Sequence, residues 1–236
     1  MDLGTVLGIW AHPDDDIYLS AGLMALNVGL GNRVVDVTAT RGEGGSMDEE
    51  RWPPDTMAAV RSVELMRSLE VLGVSEHRFL EGPVDVDMDT PLDEAGAAQV
   101  RDIVAEVQPD TVLTFGPDGM TGHVGHMSVS RWTTEAFHAV GKPGARLHYA
   151  TMTPAFVEEF GKILEPLNIF RPGTPPVTPP DRLSIDLALQ PDLLEQKWAS
   201  IMQHVSQVEG IFHAVGEDVF KRQMSHEWFR LAAVKE

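Results

Sequence analysis

The chain has 236 residues, room for one α/β domain or for one domain with an added lobe. Hydrophobic residues make up 43%, enough for a sizeable core, and with no cysteine any metal must be held by histidine and carboxylate. A formal net charge of −18 argues against nucleic acid and anionic membrane as partners. It leaves neutral or cationic small molecules, or plain solubility.

Asp2 stands where a secretory leader carries positive charge, and no run reaches the roughly 18 apolar residues of a membrane span. The expectation is a cytoplasmic protein. Thr5 to Trp10 is short and apolar and reads as a first strand. It runs into Ala11-His12-Pro13-Asp14-Asp15-Asp16, followed by a helical segment, Ile17 to Gly29, with Leu19, Leu23, Leu26 and Leu30 on one face. His12 and Asp15 are spaced to converge on one point where a turn opens into a helix. Imidazole and carboxylate suit zinc, and three protein ligands plus a water is the catalytic arrangement. A carboxylate outside the ligand set can then take a proton from that water. An Asp-rich helix start serves equally well as an N-cap. Taken alone, the stretch leaves both readings open. It does exclude a dinucleotide site, because negative charge sits where a pyrophosphate would lie.

Arg33 to Ala39 is a β-branched second strand. Thr40 to Pro54 is a glycine-rich, acidic loop that either brings Arg41 and Glu43 to the site or is a solvated loop with a local ion pair. Asp55 to Leu72 reads as a long amphipathic helix bearing Arg61, and His77 to Leu80 as a short strand. Asp85, Asp87 and Asp89 alternate in the next loop, which lacks the Gly and terminal Glu of an EF-hand. Leu92 to Val107 is a third helix, ended by Gln108-Pro109. Thr111 to Phe115 is the next strand. It delivers Gly116 to His126, where His123 and His126 enter a helix running to Val140. Two strand-end loops carrying ligand-type residues are harder to explain by capping than one.

Leu147 to Met152 is a further strand. The region near 154–182 is rich in proline from Pro172 to Pro180 and reads as an insertion or lid over the cleft, or as a stiff connector. Leu183 to Leu189 is a late strand, Pro191 opens a helix to about Gln207, and the tail mixes a short helix with a strand over Phe229 to Val234. The alternation predicts a single α/β domain over 1–236, with a Rossmann-like, mostly parallel sheet and helices on both faces. In a 3-2-1-4-5 order the first and fourth strands flank the switch point, where ligands bind.

The motifs resemble the LmbE-like, or PIG-L, zinc deacetylase family. That family includes the N-acetylglucosaminyl-phosphatidylinositol deacetylases and the deacetylases of mycothiol and bacillithiol synthesis. Its A-H-P-D-D motif is intact as Ala11 to Asp15. Its G-H-P-D-H motif becomes Gly122-His123-Val124-Gly125-His126, both histidines kept. Thr40 to Gly45 is similar to its glycine-rich turn, and Arg61 with Glu64-Leu65 to its R-x-x-E-L helix. His204 to Gln207 and Glu227-Trp228-Phe229 are similar to its C-terminal features.

The resemblance implies a zinc-dependent hydrolase, with Fe²⁺ the alternative metal, that removes an N-acetyl group from a small amino-sugar compound. His12, Asp15 and His126 are then the metal ligands and Asp14 the general base. His123 stabilises the oxyanion or protonates the leaving amine. Arg61 holds substrate or braces the loop, Asp85 is a substrate contact, and His204 and Ser206 support the ligands from behind. Gly125 replaces an Asp that would tune His123, so the resemblance leaves open which group does so here. An amidase acting on a thiol conjugate and an inactive metal- or carbohydrate-binding homologue are the competing readings; the intact Asp14 argues against the second. A homo-oligomer is compatible with all of these.

Overall fold

The computed structural model describes residues 1–236. Seven strands, β1 (Val6–Trp10), β2 (Val34–Thr38), β3 (Glu76–Phe79), β4 (Thr111–Thr114), β5 (Arg146–Ala150), β6 (Ile185–Ala188) and β7 (His226–Val234), form one sheet. Its order is β3-β2-β1-β4-β5-β7-β6. The first five strands are parallel, while β7 pairs antiparallel with both β5 and β6. β1, β2 and β4 are buried along their whole length. Strands covered on both faces are rich in apolar and β-branched residues, and here only Asp36 of β2 breaks that character with a charged group. Eight helices complete the fold: α1 (Asp15–Gly29), α2 (Met57–Leu72), α3 (Ala95–Val107), α4 (Val124–Val140), α5 (Pro154–Leu164), α6 (Pro191–Ile201), α7 (Val205–Val215) and α8 (Glu217–Gln223). None is long and apolar enough to cross a membrane.

The order of elements therefore delivers the expected α/β sheet and its switch point between β1 and β4. Several boundaries differ from the sequence reading, each for a local reason. α1 starts at Asp15, so the Asp run enters the first turn, where negative charge meets the helix dipole. Its buried face is broader than the leucine stripe, of which Leu23 is fully buried and Leu19 packs against the core. Leu30 is 52% exposed, whereas Ile17, Ala21 and Met24 are fully buried. α1 packs against β1, α2, α6 and β7, so it needs a broader covered surface than one stripe. α3 starts at Ala95, where Asp93 Oδ1 accepts the Ala95 N–H at 2.8 Å.

The helix expected from Pro191 to Gln207 is two helices. The α6 chain tightens through Gln203 N–H to Ser200 O and His204 N–H to Ile201 O. Glu64 then takes both the N–H and the hydroxyl of Ser206, at 2.8 and 2.6 Å, and starts α7 in a new direction. Within the proline-rich region the chain first forms α5, with Phe156, Phe160 and Leu164 packed inward, and later returns to the sheet edge through a bridge between Met152 and Val177.

Candidate active site

Two strand-to-helix turns meet at the switch point. The β1–α1 turn carries His12, Asp14 and Asp15, and the β4–α4 turn carries His123 and His126. His12 Nδ1 lies 3.1 Å from His126 Nε2. Asp15 places Oδ1 3.4 Å from His126 Nε2 and Oδ2 3.5 Å from His12 Nδ1. The His126 ring is fixed from behind. Its Nδ1–H donates to the Gly119 carbonyl at 2.9 Å, and burial lowers its pKa to about 4, so Nε2 keeps a free lone pair. For His12, burial would lower the pKa, but the Asp15 and Asp85 carboxylates outweigh it and raise it to about 9. Asp85 Oδ1 sits 3.3 Å from His12 Nε2 and 3.8 Å from His123 Nε2. Inward-aimed nitrogens and a carboxylate, each braced on its outer side, are what a divalent cation needs. The closest approach of His12, His123 and His126 brings their ring nitrogens within 4.8 Å of one another, and this cluster can bind a metal.

The three consecutive aspartates have three fates. Burial raises Asp14 to about 7, against the pull of the Arg61 charge. Asp15 is held well below the usual carboxylate range: burial opposes ionisation, but His126 and His12 overcome it. Asp16 is fully buried, and burial together with Asp36 pushes it well up. The capping reading does not hold for Asp14. It occupies the N-cap position, yet its side chain makes no capping hydrogen bond. Its backbone is at φ 120°, a conformation that is strained for any residue with a Cβ.

Arg61 accounts for that geometry. Its guanidinium donates to the Pro13 carbonyl at 2.7 Å, to Asp14 Oδ2 at 3.1 Å and to the Gly42 carbonyl at 3.2 Å. It is 4% exposed, so it faces the turn rather than the open cleft expected of a substrate contact. The glycine-rich turn makes room for it: a Cβ on Gly42 or Gly45 would lie within 2.3 Å of Arg61 Nη1. Gln207 then donates to the Gly45 carbonyl at 3.0 Å, and Glu64, three residues after Arg61, holds Ser206. The R-x-x-E-L, glycine-turn and H-V-S-Q motifs are thus one network ending on Asp14. His204 is fully buried with neither ring nitrogen partnered, and burial lowers it to about 3.

His123 caps α4, and its Nδ1 accepts the Gly125 N–H at 3.0 Å. The proton of the neutral ring is therefore on Nε2. Burial, then the neighbouring His12 and His126, lower its pKa to about 3. Gly125 replaces a side chain with a backbone contact: a Cβ there would stand 3.1 Å from His123 Nδ1.

Two features escaped the sequence reading. One is a buried pair, Lys197 with Glu227 at 2.7 Å, both side chains fully buried. Lys197 sits in an ordinary amphipathic helix and gives no signal in the sequence. The other is a cavity of about 150 Å³ that touches Asp15 and His126. Its walls are mostly apolar, among them Phe115, Met152, Phe156, Phe170 and Trp228, while Asp14, Asp85 and His123 lie outside it.

Comparison with known proteins gives the family. The family described as PIG-L, GlcNAc-PI de-N-acetylase, matches residues 7–137. A 1D-myo-inositol 2-acetamido-2-deoxy-alpha-D-glucopyranoside deacetylase from Kineococcus radiotolerans is 33% identical over 60% of this chain, and the match spans only 46% of that relative's length. An enzyme of the same name from Acidothermus cellulolyticus is 28% identical over 96% of this chain and 88% of its own length. Among solved structures, the N,N'-diacetylchitobiose deacetylase of Pyrococcus horikoshii superposes with TM-score 0.66 at 20% identity, covering 97% of this chain and 83% of that one. The 4-carboxy-2-hydroxymuconate hydratase GalB of Pseudomonas putida KT2440 superposes with TM-score 0.65 at 16% identity, covering 99% and 98%. The fold thus carries more than one chemistry. On the span of the match and the two motifs within it, the chain belongs to the PIG-L family of GlcNAc-PI de-N-acetylases.

Proposed function

We propose that the protein is a metal-dependent hydrolase that removes an N-acyl group, N-acetyl in the compounds the relatives are named for, from a small amino-sugar compound. The observation that carries this reading is the convergence of His12 Nδ1, His126 Nε2 and Asp15, with Asp14 beside them and outside the ligand set. The names of the relatives from Kineococcus and Acidothermus support the substrate class. His12, Asp15 and His126 would hold the cation. His123 is the poorer ligand, because Nδ1 is engaged by Gly125 and Nε2 bears the proton. Two nitrogens and a carboxylate favour zinc, with Fe²⁺ the alternative. A cation there supplies Lewis acidity to the acyl oxygen and to water.

The chain's own groups do the rest. Asp14 takes the proton of the attacking water. The water oxygen joins the acyl carbon, the C–N bond breaks, and the proton passes to the leaving nitrogen, giving a free carboxylate, acetate from an N-acetyl compound, and a free amine. His123 donates Nε2–H to the developing oxyanion. Its neutral ring suits hydrogen bonding better than outright proton donation. The Asp85 carboxylate, 3.3 Å from His12 Nε2, favours the ring orientation that turns Nδ1 toward the cation. Arg61 positions Asp14, and the segment near 154–182 forms a lid within a single domain.

The test is release of free amine from N-acetylglucosaminyl-inositol and from N-acetylglucosamine, with elemental analysis of the same preparation. About one zinc or iron per chain is expected, with turnover abolished by chelation and by His126→Ala. A metal-loaded protein that hydrolyses neither compound would defeat the reading. Arg61→Lys keeps the charge but not the planar fork that serves three acceptors. It is expected to cut kcat 10- to 100-fold with the metal retained. Unchanged kcat would remove the brace from the mechanism.

A further inference from the structure

We infer that the site accepts an N-acyl chain of about six carbons and prefers it to acetyl. The inference rests on the deacylase reading above and names its acyl specificity. An amide offers the site two halves. The leaving nitrogen receives the proton that Asp14 took from water, and the acyl oxygen faces His123, so these two atoms lie on the side of Asp14 and His123. Neither residue touches the cavity, which meets the metal cluster only at Asp15 and His126. The acyl chain, the third group on the reacting carbon, therefore points into it.

The size and lining of the cavity set the chain. An apolar cavity of roughly 150 Å³ is the size that holds a benzene ring, about six carbons. The volume here is about 150 Å³. An acetyl methyl would leave most of it empty and forfeit contact with Phe115, Met152, Phe156, Phe170 and Trp228. Thirteen of the twenty wall residues are hydrophobic. Of the polar ones away from the metal cluster, Thr151, His226 and Glu227 are already engaged by Thr178, Ser225 and Lys197, while the Tyr18 hydroxyl and the Gln223 amide nitrogen have no protein partner. Two such groups suffice to hold one water and do not make a chamber for a sugar. Outside the cavity, beside the Asp85 that faces His12 and His123, Glu43 accepts the Asp85 N–H at 3.1 Å, and Arg171 pairs with Asp89 at 2.5 Å.

The experiment compares kcat/KM of the metal-loaded protein for N-acetyl- and N-hexanoylglucosamine, and for the hexyl glycoside of N-acetylglucosamine. N-hexanoylglucosamine is expected to exceed N-acetylglucosamine at least tenfold. Leu19→Trp, which fills the cavity from α1, is expected to lower that ratio at least tenfold. Equal or better hydrolysis of the acetyl compound overturns the inference. So does a gain confined to the hexyl glycoside, which would give the cavity to the aglycone. If no compound is hydrolysed, the deacylase reading fails on its own, and calorimetry of the metal-loaded protein with hexanoate and acetate decides the cavity. Hexanoate binding at least tenfold tighter than acetate, and weakened by Leu19→Trp, supports an acyl site. Equal binding overturns it.

Discussion

Asp14→Ala is expected to bind its cation with unchanged stoichiometry and to lose about 10³-fold in kcat, in the middle of the range that general base catalysis supplies. The carboxylate touches none of the proposed ligands. Its one charged partner is Arg61, at 3.1 Å. Burial has already brought its pKa to about 7, close to the value at which a base is both available and strong enough. Asp14→Asn keeps the shape and the Arg61 contact, and should lose activity to a similar degree. Kinetics and elemental analysis on the same samples check both variants. Loss of the metal in Asp14→Ala would mean that Asp14 and Asp15 exchange roles.

Glu227→Ala is expected to cost about 3–5 kcal/mol of stability, the usual penalty for leaving a buried charge unpaired. The pair reaches into the hydrogen-bond ladder of α1. Glu227 accepts the N–H groups of Gly22 and Leu23 at 2.7 and 2.8 Å. Lys197 donates to the Tyr18 carbonyl at 2.9 Å, the group that a straight helix pairs with Gly22. Gly22 permits this approach, because a Cβ there would meet Leu189 at 2.3 Å. The double variant Lys197→Met/Glu227→Gln removes both charges and keeps an acceptor for the helix. It should recover most of the loss, as paired replacement of buried ions often does. Urea unfolding of the three proteins checks this. A loss below about 1 kcal/mol for Glu227→Ala would fit a solvent-exposed pair and not a buried one.

What was legible in the sequence follows from the range over which each signal acts. β1, β2 and β4 could be read because strands buried on both faces are rich in apolar and β-branched residues, although β2 also buries Asp36. His12, Asp15, His123 and His126 could be read because two short motifs follow two such runs. Arg61 was singled out, but its direction was not legible. Whether a helical arginine faces the cleft or the turn depends on Gly42 and Gly45, which are far from it in sequence. The same holds for Glu64, whose partner Ser206 lies 142 residues away. The break between α6 and α7 was missed because tertiary capture of Ser206 ended a helix that the local pattern would continue. The cavity was invisible for a related reason. Its walls come from α1, α5, α7, α8 and β7, and no one segment carries its signature.

β7 is the last strand in the chain but not the last in the sheet. It stands between β5 and β6, and β6 has no other partner. Amides of β6 therefore cannot be protected from exchange longer than those of β7. The antiparallel edge should open as one unit, at a lower free energy than the five parallel strands beneath the metal cluster. The cavity takes His226, Glu227 and Trp228 as part of its wall, so this opening would loosen the cavity and release the hold of Glu227 on the middle of α1, while His12 and His126 stay on the parallel strands and their turns. Selection of the substrate and the chemistry done on it would then reside in parts of the fold with different lifetimes.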